Sequence, residues 1–371
     1  MPIEAALETS APLRLPAATC GDEPGFWLYS SGSTGPPKAA VHAHANPYWT
    51  SETYGKQVLG IRESDVCFSA AKLFFAYGLG NALTFPLSVG ASAVLCAGRP
   101  TPDAVFARLV EDRPTIFFGV PTGYVALLAW PDPPEASQVS LRLAVSAGEA
   151  LPAELTRRVI ARFAVDVIDG IGSTEMLHIF ISNVPGRVRF GSSGYPVPGY
   201  DIELRDDEGG PVPVGEIGDL YVRGESAAVM YWNSRASSRN TFLGHWTRTG
   251  DKYVRNEDGS YTCSGRSDDM LKVSGMYVSP SEVEAALAAH DAVLECAVIG
   301  VSDAEGLTKT KAFVVLAEGE RTDAAELKSF VKDRLAPYKY PRIIEFVDEL
   351  PKTATGKIQR FRLRAREAAG S

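Results

Sequence analysis

The stretch from Ala91 to Ile168 constrains the fold more than any other, because short apolar runs alternate there with amphipathic segments at the spacing of βαβ units. ASAVLC (91–96) reads as a strand, TPDAVFARLVEDR (101–113) as a helix opened by Thr101 and Pro102, and TIFFGV (115–120) and LRLAVS (141–146) as further strands. LPAELTRRVIARF (151–163) begins with Pro152 at a helix start and puts Leu155, Val159, Ile160 and Phe163 on one face, and the strand AVDVI (164–168) follows. Strands apolar on both faces and separated by such helices imply an α/β fold with a doubly wound parallel sheet. Ligands bind these sheets beyond the carboxyl ends of strands, so the loops after 119, 146 and 168 are candidate binding positions.

Elsewhere the pattern changes. Between Pro198 and Thr262, YDIELRDDEGGPVPVGEIGDLYVRG and HWTRTGDKYVRNEDGSYTCSG predict short antiparallel hairpins or a small β-barrel-like region. After Gly265, SPSEVEAALAAH predicts a helix with Ser279 as N-cap, Pro280 at its first position and Glu282 closing a capping box. The strands LECAVIGV and KAFVVLAEG, the helix DAAELKSFVKDRLA and the strand RIIEFVD complete a small α+β domain. The expected division is a large domain over 1–265 and a carboxy-terminal domain over 266–371, with a short hinge near 266–268.

Composition narrows the function. The 371 residues hold 37 basic and 45 acidic side chains, a net charge of −8, which argues against phosphate-backbone binding and hence against nucleic acid as a partner. No apolar run reaches membrane-spanning length and the first residues lack signal-peptide order, so a cytoplasmic location without membrane association is expected. Cys20, Cys67, Cys96, Cys263 and Cys296 are scattered, with no CxxC pair, which predicts reduced thiols rather than disulfides or structural zinc. His42 and His44 form an HxH pair with no third ligand in view, which does not suffice for a metal site.

The strongest local signal is FWLYSSGSTGPPKAAVHAH (26–44). An apolar strand leads into Ser30, Ser31, Gly32, Ser33, Thr34 and Gly35, and Lys38 follows. Such a loop can aim backbone N–H groups and hydroxyls at a polyphosphate. It is not the P-loop GxxxxGK[ST], since two prolines precede the lysine and no Ser or Thr follows it.

YSSGSTGPPK resembles the phosphate-binding signature of the adenylate-forming superfamily, which comprises acyl-CoA synthetases, adenylation domains and luciferases. DGIGSTE (169–175), TRTGDKY (247–253), GRSDDMLKVSGMYVSPSEVE (265–284) and PKTATGKIQR (351–360) resemble its further signatures, in the same order. AAKLFFAYGLGNALTFPLSVGA (70–91) and GSTEMLHIFISN (172–183) are similar to the benzoate-CoA ligase branch. The resemblance implies an ATP-dependent ligase that activates an aromatic carboxylate as acyl-AMP and passes it to the thiol of coenzyme A. It also implies roles for individual residues. Glu175 would hold Mg²⁺, a hard ion for which one carboxylate beside phosphate oxygens and water suffices, and Thr174 would bond a phosphate. Asp251 would accept the ribose hydroxyls, Arg266 would support the ribose and phosphate side, and Asp169, Gly170 and Ile171 would line the adenine pocket. Lys357 would offset charge between the carboxylate and the α-phosphate. Asp268 would be the hinge, Gly275 would border the thiol tunnel, and Lys272 has no assigned role. Phe75, Ala76, Tyr77, Phe85, Ala147, Gly172, His178 and Ile179 would surround the aromatic ring, as flat walls over a floor of small residues.

The signature begins after only 28 residues, whereas members of that superfamily carry a longer leading section. Pro36 and Ala39 also depart from the family pattern. An uncovered apolar face is therefore expected, stabilised by self-association into a homo-oligomer or by a partner chain. Two alternatives stand beside the CoA ligase: an aryl-acid adenylating enzyme that loads a carrier protein, and a truncated nucleotide-binding remnant without turnover.

Overall fold

The computed structural model describes residues 8–9, 11, 15–30, 37–267, 269–273, 276–302, 308–352 and 358–370. β1 (Pro24–Ser30) and β2 (Lys38–Ala43) form an antiparallel hairpin in which Ser30 faces Lys38. A short helix α1 (Asn46–Thr50) runs on into a π-helical stretch, Ser51–Val58. β3 (Val66–Ser69) follows, and then α2 (Ala76–Leu79), a second π-helical stretch at Gly80–Thr84, and α3 (Phe85–Val89).

The expected βαβ run is present as β4 (Ser92–Val94), α4 (Pro102–Glu111), β5 (Ile116–Gly119), β6 (Leu143–Ser146), α6 (Ala153–Phe163) and β7 (Val167–Gly172), and a helix that the sequence reading did not give, α5 (Pro121–Leu128), lies between β5 and β6. With β8 (Ile179–Ser182) and β9 (Tyr195–Pro196) these strands make a seven-stranded sheet in the order β4-β3-β5-β6-β7-β8-β9, parallel from β4 to β7 and antiparallel beyond. Alternate residues feed two cores. Ile116, Phe118, Leu143 and Val145 pack with Tyr54 and Phe85 on one face. Phe117 and Ala144 pack with Leu109, Tyr124, Leu155 and Val159 on the other. Both faces are therefore covered, which is why these strands read as continuous apolar runs.

Asp65 braces the amino ends of three strands. Its carboxylate accepts from Thr115 Oγ1 at 2.8 Å and from Arg142 Nε at 2.8 Å and Nη2 at 2.7 Å. Burial opposes the charge, but these bonds prevail and hold Asp65 below the usual carboxylate range.

β7 departs from expectation. It does not end at Ile168 but continues through Asp169, Gly170 and Ile171 to Gly172, pairing antiparallel with β8, so these residues form strand rather than loop.

The hairpins expected between Pro198 and Thr262 form an antiparallel sheet: β10 (Asp201–Arg205), β11 (Ile217–Arg223), β14 (Trp246–Arg255), and both β13 (Phe242–Leu243) and β15 (Tyr261–Arg266) on β14. β12 (Met230–Tyr231) leaves it to pair with β2, and α7 (Arg235–Thr241) lies between β12 and β13.

In the carboxy-terminal part, the hairpin β16 (Leu271–Val273) and β17 (Met276–Val278) leads to α8 (Pro280–Leu287). β18 (Val293–Ser302), β19 (Thr308–Leu316) and β20 (Ile343–Phe346) form a sheet, with α9 (Ala324–Lys332) and α10 (Arg360–Gly370) completing the α+β unit. Leu287, Leu327 and Val331 cover one sheet face, and Leu350 and Leu363 the other. Ser279 caps α8 as expected, accepting from Glu282 N at 3.2 Å. The carboxylate of Glu282 instead takes the ammonium of Lys339, at 2.7 Å to each oxygen, because a cation outcompetes a neutral backbone N–H.

Candidate functional site

Several of the described residues singled out in the sequence lie on or beside the segment from Gly172 to Ile179, which runs from the end of β7 into β8. Glu175 lies in the turn between β7 and β8. Its Oε1 accepts from Tyr231 OH at 2.6 Å, and Lys38 Nζ stands 5.3 Å from the centre of the same tyrosine ring. Burial, with the Glu175 carboxylate beside it, pushes the Tyr231 phenol above its ordinary range, so it stays a donor. The pairing of β12 with β2 puts Tyr231 opposite Ala40 and so carries it to this place. The sequence reading missed Tyr231, because nothing local in MYWN distinguishes it.

A second missed residue is His42. It is fully buried on β2, and its Nε2–H donates to the carbonyl oxygen of Thr174 at 2.8 Å. Its Nδ1 accepts from Asn46 Nδ2, also at 2.8 Å, and Phe26 stacks on the ring. Burial lowers its pKa to about 4, against the opposing pull of the Thr174 bond and the Glu175 carboxylate. This imidazole is thus a neutral strut between the Lys38 hairpin and the turn that carries Glu175. Ala228 N adds a bond to Glu175 O at 2.7 Å.

On the nucleotide side, Asp251 and Arg266 face each other across β14 and β15, with Nη1 to Oδ1 at 3.1 Å. Arg266 Nη1 also donates to Thr249 O at 3.3 Å, and Asp251 N to Thr249 Oγ1 at 3.1 Å. Asp169 is buried at the carboxyl end of β7. Its Oδ2 lies 3.4 Å from Leu151 N, and its Oδ1 has no hydrogen-bond partner among the described residues. Burial drives its pKa well above the carboxylate range, partly offset by the N–H groups of Leu151 and Gly170. Gly170 is pressed against β8, where a Cβ would lie 2.8 Å from Ile181 O.

An aromatic box stands on the other side of Glu175. His178 is ringed by Tyr54 at 5.2 Å, Tyr77 at 5.6 Å and Phe85 at 4.6 Å between ring centres. Its Nε2–H donates to Asn81 Oδ1 at 3.1 Å, and burial lowers its pKa to about 3. Its Nδ1, like Tyr54 OH and Ser146 Oγ, is buried without a partner among the described residues. Tyr77 OH reaches Gly119 O at 3.2 Å, which ties the box to the end of β5. Two glycines make room. At Gly80 a Cβ would meet the His178 ring at 2.6 Å, and at Gly172 it would meet His178 O at the same distance. Ile179 and Ala147 line the same core, whereas Phe75, just before α2, packs its ring at a tilt against Phe74, 4.5 Å between centres. Tyr54 and Asn81 belong to the site although their surroundings in the sequence carry no motif.

Ser30 closes β1 opposite Lys38, but Ser31, Gly32, Ser33, Thr34, Gly35, Asp268, Gly275 and Lys357 lie outside the described residues. Among the described residues no cluster of three His, Cys, Asp or Glu could hold a metal ion. Glu175 with a neutral tyrosine partner still suits Mg²⁺, which takes few protein carboxylates and keeps phosphate and water ligands.

Residues 3–232 match the AMP-binding enzyme family, and residues 282–357 match the AMP-binding enzyme C-terminal domain. The chain is 60% identical over 353 residues to benzoate–CoA ligase of Thauera aromatica, covering 94% of this chain and 67% of that protein. It is 51% identical to the 4-hydroxybenzoate–CoA/benzoate–CoA ligase of Rhodopseudomonas palustris, covering 96% and 67%. A crystal structure of a benzoate CoA ligase from Burkholderia xenovorans LB400 superposes with a TM-score of 0.93 at 62% identity, over 97% of this chain and 72% of that one. With five ordered signatures, a matching fold and these relatives, the chain belongs to the AMP-binding, adenylate-forming enzyme family.

Proposed function

We propose that the chain is an AMP-forming acid–thiol ligase that activates benzoate or a small substituted benzoate and transfers the acyl group to coenzyme A. One observation carries this reading. In the segment Gly172–Ile179, Glu175, bonded to Tyr231, stands three residues from His178 and its cluster of Tyr54, Tyr77 and Phe85, so an acid suited to the phosphate side and an aromatic cluster suited to a benzoate ring share one segment, which supports this reading. The resemblance to benzoate–CoA ligases over 94% of the chain agrees with it.

In the first step a carboxylate oxygen attacks the α-phosphorus of ATP, and the bond to the β-phosphate oxygen breaks to give acyl-AMP and pyrophosphate. Two anions must approach, so catalysis is mostly alignment and charge neutralisation. Lys38 and Arg266 bring positive charge, Asp251 meets the ribose diol, and the His178 box holds the ring while excluding water. Glu175 would hold Mg²⁺, which when bound neutralises phosphate charge. Lys357 would supply a further cation at the reacting oxygens. In the second step the thiolate of coenzyme A attacks the acyl carbonyl and AMP leaves. The domain division at 265/266, with Asp268 as hinge and Gly275 beside the thiol path, belongs to the same proposal.

The deciding assay is benzoate-dependent release of pyrophosphate from ATP. Lys357→Ala is expected to lower it by roughly 10²–10³-fold, the usual loss for one charge-stabilising group. No release with any small aryl acid from folded protein overturns the reading. Benzoyl transfer to a carrier-protein thiol in place of coenzyme A would select the alternative acceptor.

A further inference from the structure

Tyr231 touches two opposite charges. Its phenol donates to Glu175 Oε1 at 2.6 Å, and Lys38 Nζ stands over the face of its ring, 5.3 Å from the centre. Opposite charges attract strongly where water is scarce, and a carboxylate paired with an ammonium no longer offers its oxygens or its charge to other partners. The tyrosine occupies the place where such a pairing would begin.

Strand pairing sets this arrangement. Tyr231 lies opposite Ala40 where β12 meets β2, and Lys38 is two residues from Ala40, so the three side chains share one face of these strands. Val229 N donates to Val41 O and Trp232 N to Ala39 O, each at 2.8 Å, which fixes the register on both sides of the tyrosine. Tyr231 N donates to Ser238 Oγ on α7 at 2.9 Å, and Phe242 packs at a tilt against the ring, 5.3 Å between centres. The tyrosine is buried. Ala228 N on Glu175 O, at 2.7 Å, and His42 Nε2 on Thr174 O, at 2.8 Å, tie the backbone of the acid's turn to the same strands. The bond from Tyr231 acts on the carboxylate itself.

We infer that Tyr231 is a positioning residue for binding of the metal–nucleotide complex: its phenol holds the Glu175 carboxylate and its ring keeps that carboxylate off Lys38, which leaves the acid for Mg²⁺ and the lysine for phosphate. This rests on the ligase reading above, in which Glu175 holds the metal ion. A phenol suits the task because it donates a hydrogen bond without adding charge near pH 7. Tyr231 needs no contact with the nucleotide to act.

The test reads binding in the full chain, with α,β-methylene-ATP, whose α,β bridge is not cleaved, and with Mn²⁺ as a paramagnetic substitute for Mg²⁺. Tyr231→Phe keeps the ring and removes the donor. It is expected to weaken Mn²⁺ binding to the analogue complex about tenfold, the scale of one hydrogen bond to a charged group, while the KM for benzoate stays within about twofold. In a Glu175→Gln background the same substitution is expected to change Mn²⁺ binding by less than about twofold, because the two residues act as one unit. Tyr231→Leu also removes the ring and lets Glu175 close on Lys38. Adding Lys38→Met to it is expected to recover more Mn²⁺ affinity than Lys38→Met adds to the unsubstituted chain. If Tyr231→Leu does not fold, as read by circular dichroism, Tyr231→Met carries the same comparison. Unchanged Mn²⁺ binding in Tyr231→Phe, an equal further loss in the Glu175→Gln background, a matching rise in the KM for benzoate, or no extra recovery from Lys38→Met overturns the inference and leaves the ligase reading standing. An unsubstituted chain that binds neither the analogue nor Mn²⁺ with it overturns the ligase reading, and the inference with it.

Discussion

His42 shows how far a single residue's meaning depends on the fold. In KAAVHAH it is one of a histidine pair, and metal binding is the first idea such a pair suggests. The strand pairing instead buries its ring between Asn46 and the Thr174 carbonyl, where both nitrogens are used. A histidine with a folded pKa near 4 binds a proton more readily in the unfolded chain, whose value is 6.5. The stability it protects is therefore fully present above about pH 6.5 and is lost as the pH falls toward 4, a change of roughly 3 kcal/mol. His178, lowered to about 3, extends the same loss to lower pH. His42→Gln is expected to reduce the pH dependence of urea unfolding between about pH 6.5 and 4, and to lower turnover by loosening the Glu175 turn. An unchanged slope would show that another group governs acid stability.

At the level of elements, most strands and helices from Ala91 to Phe163 were legible because each repeats one period and buries one face or two, whereas the helix Pro121–Leu128, almost wholly apolar and without a polar face, was not. What was not legible depends on partners distant in sequence. The extension of β7 through DGIG needs β8 beside it, and the π-helical stretch at Gly80–Thr84 needs His178 against Gly80 and Asn81. π-helical segments recur at functional sites, and this one supplies a wall of the aromatic box. The reading of Gly172 as a pocket residue also gains a cause: it lacks a side chain because the His178 backbone passes too close for one. Gly172→Ala is expected to push β7 and β8 apart and displace His178, at a cost of about 1–3 kcal/mol in thermal unfolding. A raised KM for benzoate should accompany it, with a smaller change in the KM for ATP. Equal changes in both constants would argue against a local effect on the aromatic box.

The whole molecule carries a feature that individual motifs do not disclose. The described chain spans 67% of the length of its curated relatives in Thauera aromatica and Rhodopseudomonas palustris, and several large aromatic side chains stand in solvent. Trp27 on β1 is 42% exposed and meets Trp232, 50% exposed, edge to face at 5.6 Å. Tyr48, 58% exposed, pairs with Trp49 on α1. Single exposed apolar residues are ordinary, but paired indoles and phenols bury large area at little entropic cost and dominate association energetics. Near neutral pH the net charge of −8 is spread over 371 residues and screened within about 10 Å at ordinary salt, too weak to keep such surfaces apart. This chain is therefore expected to self-associate. Sedimentation velocity should show a weight-average coefficient that rises with concentration, and the double substitution Trp27→Ser with Trp232→Ser should flatten that rise while leaving the circular-dichroism spectrum intact. A concentration-independent monomer in the unsubstituted chain would mean that these aromatics are tolerated in water as they stand, and that the catalytic arrangement needs no second surface to hold it.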